Sequence, residues 1–320
     1  MRTFVKKILS SIWGILVLCF AIDGLISHNL RKSDAQFFSA WNDLYSNTEN
    51  HDLVFIGSSR AFMHYNPLIF DSILKTNSFN CGLVARGIST QIAKYHAYCR
   101  LHHYPKYLIV NLDICIFQNE SLSDDERLFT AAHTYREQFF PYYNDRELIK
   151  ELKISGEAIE WYEYIIPLVR YAGYKDIIFE GLGISKTNHI STYKGFYGFE
   201  YRDDWDYPTW GNFKFQKEYC FDSKLQELID ECVVNNVTPI FVMGPAYRDY
   251  MRQLLNEDYA ISYMHRIADY YQIPLFDYTK CYISDDSSYF CDPIHLNRRG
   301  ADEFSKLLAE TLQDSIIHTI

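Results

Sequence analysis

The sequence predicts an α/β protein in which helices cover both faces of a parallel, five-stranded sheet. Short continuous apolar runs recur along the chain, and such runs are typical of strands that are buried on both faces. Segments with a helical spacing of apolar residues separate these runs. Because strand–helix–strand connections within one sheet are right-handed crossovers, the alternation leaves the strands parallel.

Individual elements follow from these patterns and from local start and stop signals. Asn66 followed by Pro67 predicts an N-cap and the first residue of a helix, and Asn297 is expected to cap the last helix. Ser89 is expected to cap a helix that Pro105 ends. The predicted strands are 52–56, 78–81, 107–112, 239–243 and 274–277, and the predicted helices are 66–74, 89–103, 222–235, 247–271 and 298–315.

The stretch 118–215 breaks the alternation, and we expect it to emerge between strands three and four as a lid-like insertion in a domain spanning 51–320. Residues 28–50 are interpreted as a polar connector with some helical content. The acidic cluster Asp203, Asp204 and Asp206 lacks the spacing of a calcium loop and is interpreted as a solvated turn. Aromatic residues of the insertion either stack on sugar rings or pack its own core: Tyr193, Phe196, Tyr197, Phe199, Tyr201, Trp205 and Trp210.

The composition excludes some classes of protein. Of the 320 residues, 48% are hydrophobic, which excludes a disordered chain. The 41 acidic and 31 basic residues give a net charge of −10, which argues against nucleic acid as a partner because phosphate binding needs a basic surface. The eight cysteines include no CxxC or CxxH pair, which argues against a zinc site. Cys281 and Cys291 could bridge a loop, but buried free thiols are the expected state of most cysteines.

The N-terminus combines a basic cluster with an apolar run. Arg2, Lys6 and Lys7 precede the run 8–22, whose length is typical of the hydrophobic region of a signal sequence. We interpret 1–27 as an uncleaved signal anchor or transmembrane segment with its N-terminus inside and the rest of the chain exported. The alternative is a buried N-terminal helix of a soluble protein.

The ends of the predicted strands carry the residues with reactive side chains. In open parallel sheets, ligands bind beyond the carboxyl ends of the strands. Strand 52–56 runs into Gly-Ser-Ser at 57–59, and Asp292 and His295 follow the last strand. A carboxylate three residues before a histidine can accept its Nδ1 proton and leave Nε2 free as a base. We therefore expect Ser59, Asp292 and His295 to meet at one edge of the sheet.

These residues belong to motifs that resemble the SGNH/GDSL hydrolase superfamily: Gly57-Ser58-Ser59, Asn80-x-Gly82 and Asp292-x-x-His295-Leu296-Asn297-x-x-Gly300. The likeness covers about 51–115 and 220–312 and leaves out the insertion. It places the nucleophile of the family's Gly-Asp-Ser motif on Ser59, with Ser58 in place of the aspartate. The resemblance implies a flavodoxin-like three-layer α/β/α fold and no metal or organic cofactor.

Sequences with Gly-Ser-Ser-Arg behind a single N-terminal anchor look like bacterial proteins of cell-envelope polysaccharide biosynthesis. The resemblance therefore implies an esterase or O-acyltransferase that acts on an acylated glycan or another ester. It also implies a membrane-anchored, extracytoplasmic location and partners in envelope biosynthesis. In this interpretation His295, oriented by Asp292, accepts the proton of Ser59, which attacks the ester carbonyl.

The third block of the family, Gly-x-Asn-Asp, is altered in this chain. Asp113 falls on its glycine and Cys115 on its asparagine, the side chain that donates to the oxyanion. Either Asn111 replaces that donor, or the backbone N–H groups of Ser59 and Gly82 form the oxyanion hole. Asp113 itself remains a candidate for the oxyanion or substrate site.

Structural alternatives stand beside these functional interpretations. Ser59 could simply cap the following turn. Arg60 either binds an anionic group of the substrate or makes a surface salt bridge, and His102 and His103 are expected on a solvated helix face. The altered third block leaves open a degenerate domain that binds a glycan or a partner without turnover. A purely structural envelope protein is a further alternative.

Overall fold

The computed structural model describes residues 2–35, 38–113, 135–185, 192–200, 214–215 and 221–315. Among these residues, five parallel strands form one sheet in the order β2-β1-β3-β4-β5. The predicted α/β class, the strand number and the parallel pairing are thereby confirmed. The strands are β1 (Leu53–Ile56), β2 (Ser78–Asn80), β3 (Tyr107–Asn111), β4 (Thr238–Met243) and β5 (Leu275–Asp277).

Helices connect the strands and extend the chain at its N-terminus. In the first half they are α1 (Arg2–Leu30), α2 (Phe38–Ser46), α3 (Ser59–His64), α4 (Pro67–Leu74) and α5 (Ile88–Leu101). After β3 they are α6 (Arg146–Ile154), α7 (Trp161–Ile165), α8 (Lys175–Gly181), α9 (Phe221–Val234), α10 (Arg248–Met251), α11 (Glu257–Tyr271) and α12 (Arg298–Ser315). Short 3₁₀ turns cover Arg136–Tyr142, Val169–Tyr171, Tyr282–Asp285 and Ser287–Tyr289.

Helix caps agree with the sequence signals at two positions and differ at a third. The Asn66 side chain accepts from the Leu68 N–H at 3.1 Å, and the Asn297 side chain accepts from the Gly300 N–H at 2.9 Å, as predicted. The prediction for α5 was wrong, because its N-cap is Gly87 and Ser89 lies inside the first turn.

The single helix predicted over 247–271 is two helices, α10 and α11. The Asn256 side chain, between them, pairs with the Phe215 peptide: its Nδ2 donates to the Phe215 carbonyl at 2.9 Å, and its Oδ1 accepts from the Phe215 N–H at 2.7 Å. Phe215 is remote in sequence. Because this contact depends on the fold, the local sequence pattern does not predict the break between the two helices.

The two faces of the sheet bury separate apolar clusters, because successive strand residues point to opposite sides. On one face, Val54 of β1 and Phe241 of β4 pack in a cluster that includes residues of α5, α9 and α11. On the other face, Phe55 and Val242 pack in a cluster that includes Phe304 and other residues of α4 and α12. Helices thus cover both faces, which confirms the three-layer expectation.

Residues 28–50 contain helix α2, in line with the helical content expected for this connector, but they are less polar in their packing than expected. Helix α2 buries Trp41 and Leu44 completely in the larger apolar cluster. Helix α1 is also longer than the apolar run 8–22, since it continues without a break to Leu30. At about 1.5 Å per residue its 29 residues are about 44 Å long, enough to cross a bilayer core of about 30 Å.

The described part of the insertion is joined to the end of α1. Asp23 forms a buried ion pair with Arg170, and its Oδ1 accepts from the Leu168 N–H at 2.8 Å. Further along α1, the Asn29 side chain donates to the Gly181 carbonyl of α8 at 2.7 Å. Residues 135–185 therefore pack as helices against the N-terminal helix.

Candidate active site

The turn after β1 places two consecutive serines in different environments. Gly57 has a positive φ of 153°, and a Cβ there would lie 2.8 Å from the Asn111 Cβ, so the close approach of β3 requires glycine. Ser58 is the N-cap of α3: its side chain accepts from the Arg60 N–H at 3.2 Å and donates to Asp113. Because Ser58 provides the cap, the interpretation of Ser59 as a capping residue is wrong.

Ser59, His295 and Asp292 meet beyond the carboxyl end of the sheet. The Ser59 Oγ lies 2.7 Å from the His295 Nε2, although the two residues are 236 positions apart in the chain. The His295 Nδ1 lies 2.7 Å from the Asp292 Oδ2. The imidazole is partly exposed, with 17% of its side-chain surface accessible, and Ser59 is half-buried. The structure thus brings together the three side chains that the motifs single out.

Asp292 is held in its ionised form. Burial raises its pKa, but the hydrogen bond from His295 and those from the Ile294 and His295 N–H groups outweigh burial, and the net pKa lies below the usual value. Both N–H groups donate to Oδ1 at 2.9 Å, which leaves Oδ2 for the imidazole. A carboxylate fixed in this way can orient the ring and stabilise its protonated form.

The loop that carries His295 is fixed on both sides. The Cys291 N–H donates to the His295 carbonyl at 3.0 Å, and the Leu296 N–H donates to the His64 Nε2 at 3.1 Å. Gly300 permits the close approach of α12, because a Cβ there would lie 2.1 Å from the Tyr289 carbonyl oxygen. The spacing Asp-x-x-His-Leu-Asn-x-x-Gly therefore encodes a carboxylate, a base, a helix cap and a close contact.

Arg60 and Asp113 form a buried ion pair beneath the serine turn. The Arg60 Nη1 lies 3.1 Å from the Asp113 Oδ1, and its Nη2 donates to the carbonyls of Gly244 and Pro245 at 2.6 and 2.9 Å. Arg60 is only 2% exposed. The expectation of a surface salt bridge for Arg60 is therefore wrong, since its buried guanidinium joins α3 to Asp113 and to the loop after β4. Its contact with an anionic group of the substrate stays a prediction.

Asp113 accepts from three neighbours, and this use differs from its expected place in the oxyanion or substrate site. In addition to Arg60 and Ser58, it accepts from the Asn111 Nδ2 at 2.7 Å. The Asn111 Oδ1 in turn accepts from the Tyr65 hydroxyl. Because an amide nitrogen carries two hydrogens, the second N–H of Asn111 remains uncommitted among the described residues.

The backbone donor expected at Gly82 is already in use. Its N–H donates to the Asn80 Oδ1 at 2.8 Å, so it is not free for an oxyanion in this conformation. Glycine is required here for a different reason: a Cβ would lie 2.2 Å from the Phe62 backbone nitrogen. The Ser59 N–H has no hydrogen-bond partner in the described part of the chain. Of the donors expected for the oxyanion, the Ser59 N–H and one N–H of the Asn111 amide therefore have no partner among the described residues.

Lys94 and His64 lie behind the site and were not singled out by the sequence. Lys94 is fully buried and donates to the Gly82 carbonyl at 3.0 Å, and burial lowers the pKa of its ammonium to about 8. His64 accepts from Leu296 through Nε2, and burial lowers its pKa well below the usual value, so the ring is neutral. No sequence motif marks either residue, because its burial and its hydrogen-bond partners depend on the fold.

Other predicted features fall beside the site or away from it. Tyr197 stacks on Phe62 of α3 with 5.8 Å between ring centroids, and Phe199 lies against Tyr197. Phe196 is buried in the core.

The prediction of a solvated His102 was wrong, because the ring is buried and its Nε2 lies 3.2 Å from the Leu44 carbonyl. The aromatic residues Tyr201, Trp205 and Trp210, the acidic cluster 203–206 and Cys115 lie outside the described residues.

No protein-family model and no curated protein matches the chain. It is similar to the solved structure of a protein assigned to the G-D-S-L lipolytic family from Desulfitobacterium hafniense, 10% identical over 83% of this chain and 100% of that one, with a TM-score of 0.40. It is also similar to one assigned as an acylhydrolase from Bacteroides fragilis, 11% identical over 85% and 93%, with a TM-score of 0.38. Overlaps this loose assign no activity, so the proposed function rests on the geometry of the site.

Proposed function

We propose that the protein is a serine-dependent esterase or O-acyltransferase. The single observation that carries the proposal is the continuous hydrogen-bonded chain from the Ser59 hydroxyl through His295 to Asp292. A nucleophile within hydrogen-bond distance of a base, and a base oriented by a carboxylate, is the arrangement that acyl transfer requires.

The chemistry follows from the positions of the atoms. The His295 Nε2 takes the hydroxyl proton while the Ser59 Oγ adds to the ester carbonyl, and the Ser59 N–H and the Asn111 amide stabilise the negative oxygen. The intermediate collapses, the leaving alcohol takes the proton from His295, and an acyl-enzyme remains. Water or an acceptor hydroxyl, deprotonated by His295, then attacks the acyl group and releases Ser59.

An acylated polysaccharide of the cell envelope is the substrate class we propose. Two features support it: α1 is long and apolar enough to anchor the domain at a membrane, and the aromatic rings of Tyr197 and Phe199 border α3, where sugar rings could stack. The anchor places the domain outside the cytoplasm if the basic N-terminus stays inside. Proteins of envelope biosynthesis would then be its partners.

A domain that binds glycans without turnover is the second candidate. The observation that favours it is the engagement of the Gly82 N–H by Asn80, which removes one expected oxyanion donor. Losing one such donor typically lowers kcat by about 10²–10³, which weakens catalysis without abolishing it.

Labelling of the full chain with a fluorophosphonate, together with hydrolysis of p-nitrophenyl acetate, tests the proposal. Wild-type protein should be labelled, and Ser59→Ala should lose labelling and about 10⁴-fold or more of the hydrolysis rate. Asp292→Asn should keep the fold but lower kcat by about 10²–10⁴, because an amide that donates to Nδ1 leaves the proton on Nε2 and supplies no charge to stabilise the imidazolium.

Ser58→Ala is the matched control, because its hydroxyl faces Asp113 and not His295. It should remain labelled while losing about 1 kcal/mol of stability with the helix cap. A folded wild-type protein that is not labelled, or labelling that persists in Ser59→Ala, would contradict the esterase proposal. The first of these results would favour the glycan-binding alternative.

A further inference from the structure

Several large apolar side chains of the helical segment 161–184 are exposed to solvent. Trp161 and Ile165 of α7 are 57% and 56% exposed, and Ile184 after α8 is 66% exposed. The set, called here the α7–α8 apolar surface, comprises Trp161, Tyr162, Ile165, Ile166, Phe179, Leu182 and Ile184. Single exposed apolar residues are ordinary, but seven within 24 residues indicate a surface that contacts something apolar.

This surface adjoins the point where the exposed apolar part of α1 ends. Asp23 is the first buried residue of α1 after a stretch of exposed apolar side chains. It contacts Leu168, two residues after Ile166, through the hydrogen bond to the Leu168 N–H. Helix α8 packs on the next turn of α1, where a Cβ on Gly181 would lie 2.6 Å from the Ile26 side chain. Leu168, after α7, and Gly181, at the end of α8, therefore contact α1 just beyond its exposed apolar stretch, which places the α7–α8 apolar surface next to the segment that would cross a membrane.

The chemistry of the surface fits the boundary layer of a bilayer. Tryptophan and tyrosine are enriched where a membrane span meets water, because their rings are apolar and their N–H or O–H group is polar. The charge of Asp23 at this level is neutralised by Arg170, so the junction does not bring an unpaired carboxylate to the boundary. A protein partner would not require the surface to begin where the apolar span ends.

We propose that the α7–α8 apolar surface inserts into the interfacial layer of the bilayer that α1 spans. The surface then acts as a second contact with the membrane and orients the domain relative to it. The proposal rests on the membrane location proposed above and not on the serine chemistry, so it can fail without affecting the esterase proposal.

Quenching of tryptophan fluorescence by brominated phospholipids tests this contact in the full chain reconstituted into vesicles. With bromine near the headgroup, Trp161 should be quenched, so W161F should lower the quenched fraction of the emission. Trp13 lies in the exposed part of α1, ten residues or about 15 Å before Asp23, so W13F with bromine deep in the acyl chains reports whether α1 is inserted. The matched control is W161F/Y270W, because Tyr270 is 78% exposed on α11, outside the surface; its added emission should not be quenched.

Each outcome decides the proposal. Loss of quenching in W161F, with no quenching gained in W161F/Y270W, supports it. An unchanged quenched fraction in W161F while W13F shows an inserted α1 overturns it, and shielding of Trp161 from aqueous iodide in that case would indicate a second copy of the chain as the occupant. If W13F shows that α1 is outside the bilayer, the membrane location and this proposal fall together. Hydrolysis of the soluble ester by Ser59 is measured separately and is unaffected by any of these results.

Discussion

Two buried arginine–aspartate pairs hold two different parts of this molecule. Arg60–Asp113 lies under the serine turn, and Arg170–Asp23 joins the insertion to α1. The partners are 53 residues apart in the first pair and 147 in the second. Their side chains have similar exposure, between 3% and 12%. A buried arginine–aspartate ion pair therefore stabilises the candidate active site in one region and attaches the N-terminal helix in the other.

The surroundings of the two pairs differ. Asp113 also accepts from Ser58 and Asn111, whereas Arg170 has Ser27 as a further partner, at 2.9 Å. Removing a charge at the first site therefore disturbs a network that includes the serine turn. Removing a charge from the Arg170–Asp23 pair should weaken the contact between α1 and residues 135–185 and leave the sheet intact.

Arg60→Met is expected to have the larger effect. It leaves the Asp113 carboxylate buried without its cation, which typically costs about 3–5 kcal/mol, and it should also lower ester hydrolysis because Ser58 and Ser59 lose support. Urea denaturation gives the free energy of unfolding. Arg252→Met, at a 70% exposed arginine, is the control and should change stability by less than about 0.5 kcal/mol. Equal effects in both variants would contradict the network assigned to Arg60.

Asp23→Asn should have a smaller and local effect. Arg170 keeps Ser27 as a partner, so a loss of about 1–3 kcal/mol is expected, the range for a buried polar group that loses a hydrogen-bond partner. Limited proteolysis should cut first within 135–185, while hydrolysis of a soluble ester is retained. The double variant with Arg170→Met should recover stability, because no buried charge is left unpaired. Loss of hydrolysis in parallel with loss of the junction would show that the two regions are not independent.

The smallest effect is expected at His96, which lies between Glu151 of α6 and Glu231 of α9 at 3.0 and 2.8 Å. Burial lowers its pKa, but the hydrogen bonds to both carboxylates outweigh burial, and the net pKa is raised. Its stabilising effect is therefore fully present below the unfolded pKa of about 6.5 and is lost as pH rises through the folded value.

His96→Gln should consequently destabilise the protein more at mildly acidic pH than at alkaline pH. Thermal unfolding followed at several values between about pH 5.5 and 9 measures the difference. His103→Gln, at an exposed histidine, is the control for the substitution itself. A destabilisation by His96→Gln that is independent of pH would show that the ring contributes through packing alone.

The sheet and the serine–histidine–aspartate site could be predicted because their signals are local. Buried strands appear as apolar runs, and Asn66 and Asn297 cap helices through neighbouring N–H groups. The Arg60 and Lys94 environments could not be predicted, since burial of a charge depends on partners brought by the fold, such as the Gly244 and Gly82 carbonyls. The break before α11 has the same origin, because Asn256 pairs with a residue 41 positions away.

The absence of an interruption in α1 has a mechanical consequence. Helix α1 continues without a break from its exposed part into the packed part of the protein, where Leu30 is fully buried. Within Arg2–Leu30 the helix therefore provides no flexible joint between these two parts. If α1 spans a membrane, as proposed above, Ser59 is held at a fixed distance from the bilayer, and an ester substrate has to reach it at that distance. Inserting a few glycines after Leu30 would make this connection flexible, and the distance between Ser59 and the membrane would then vary.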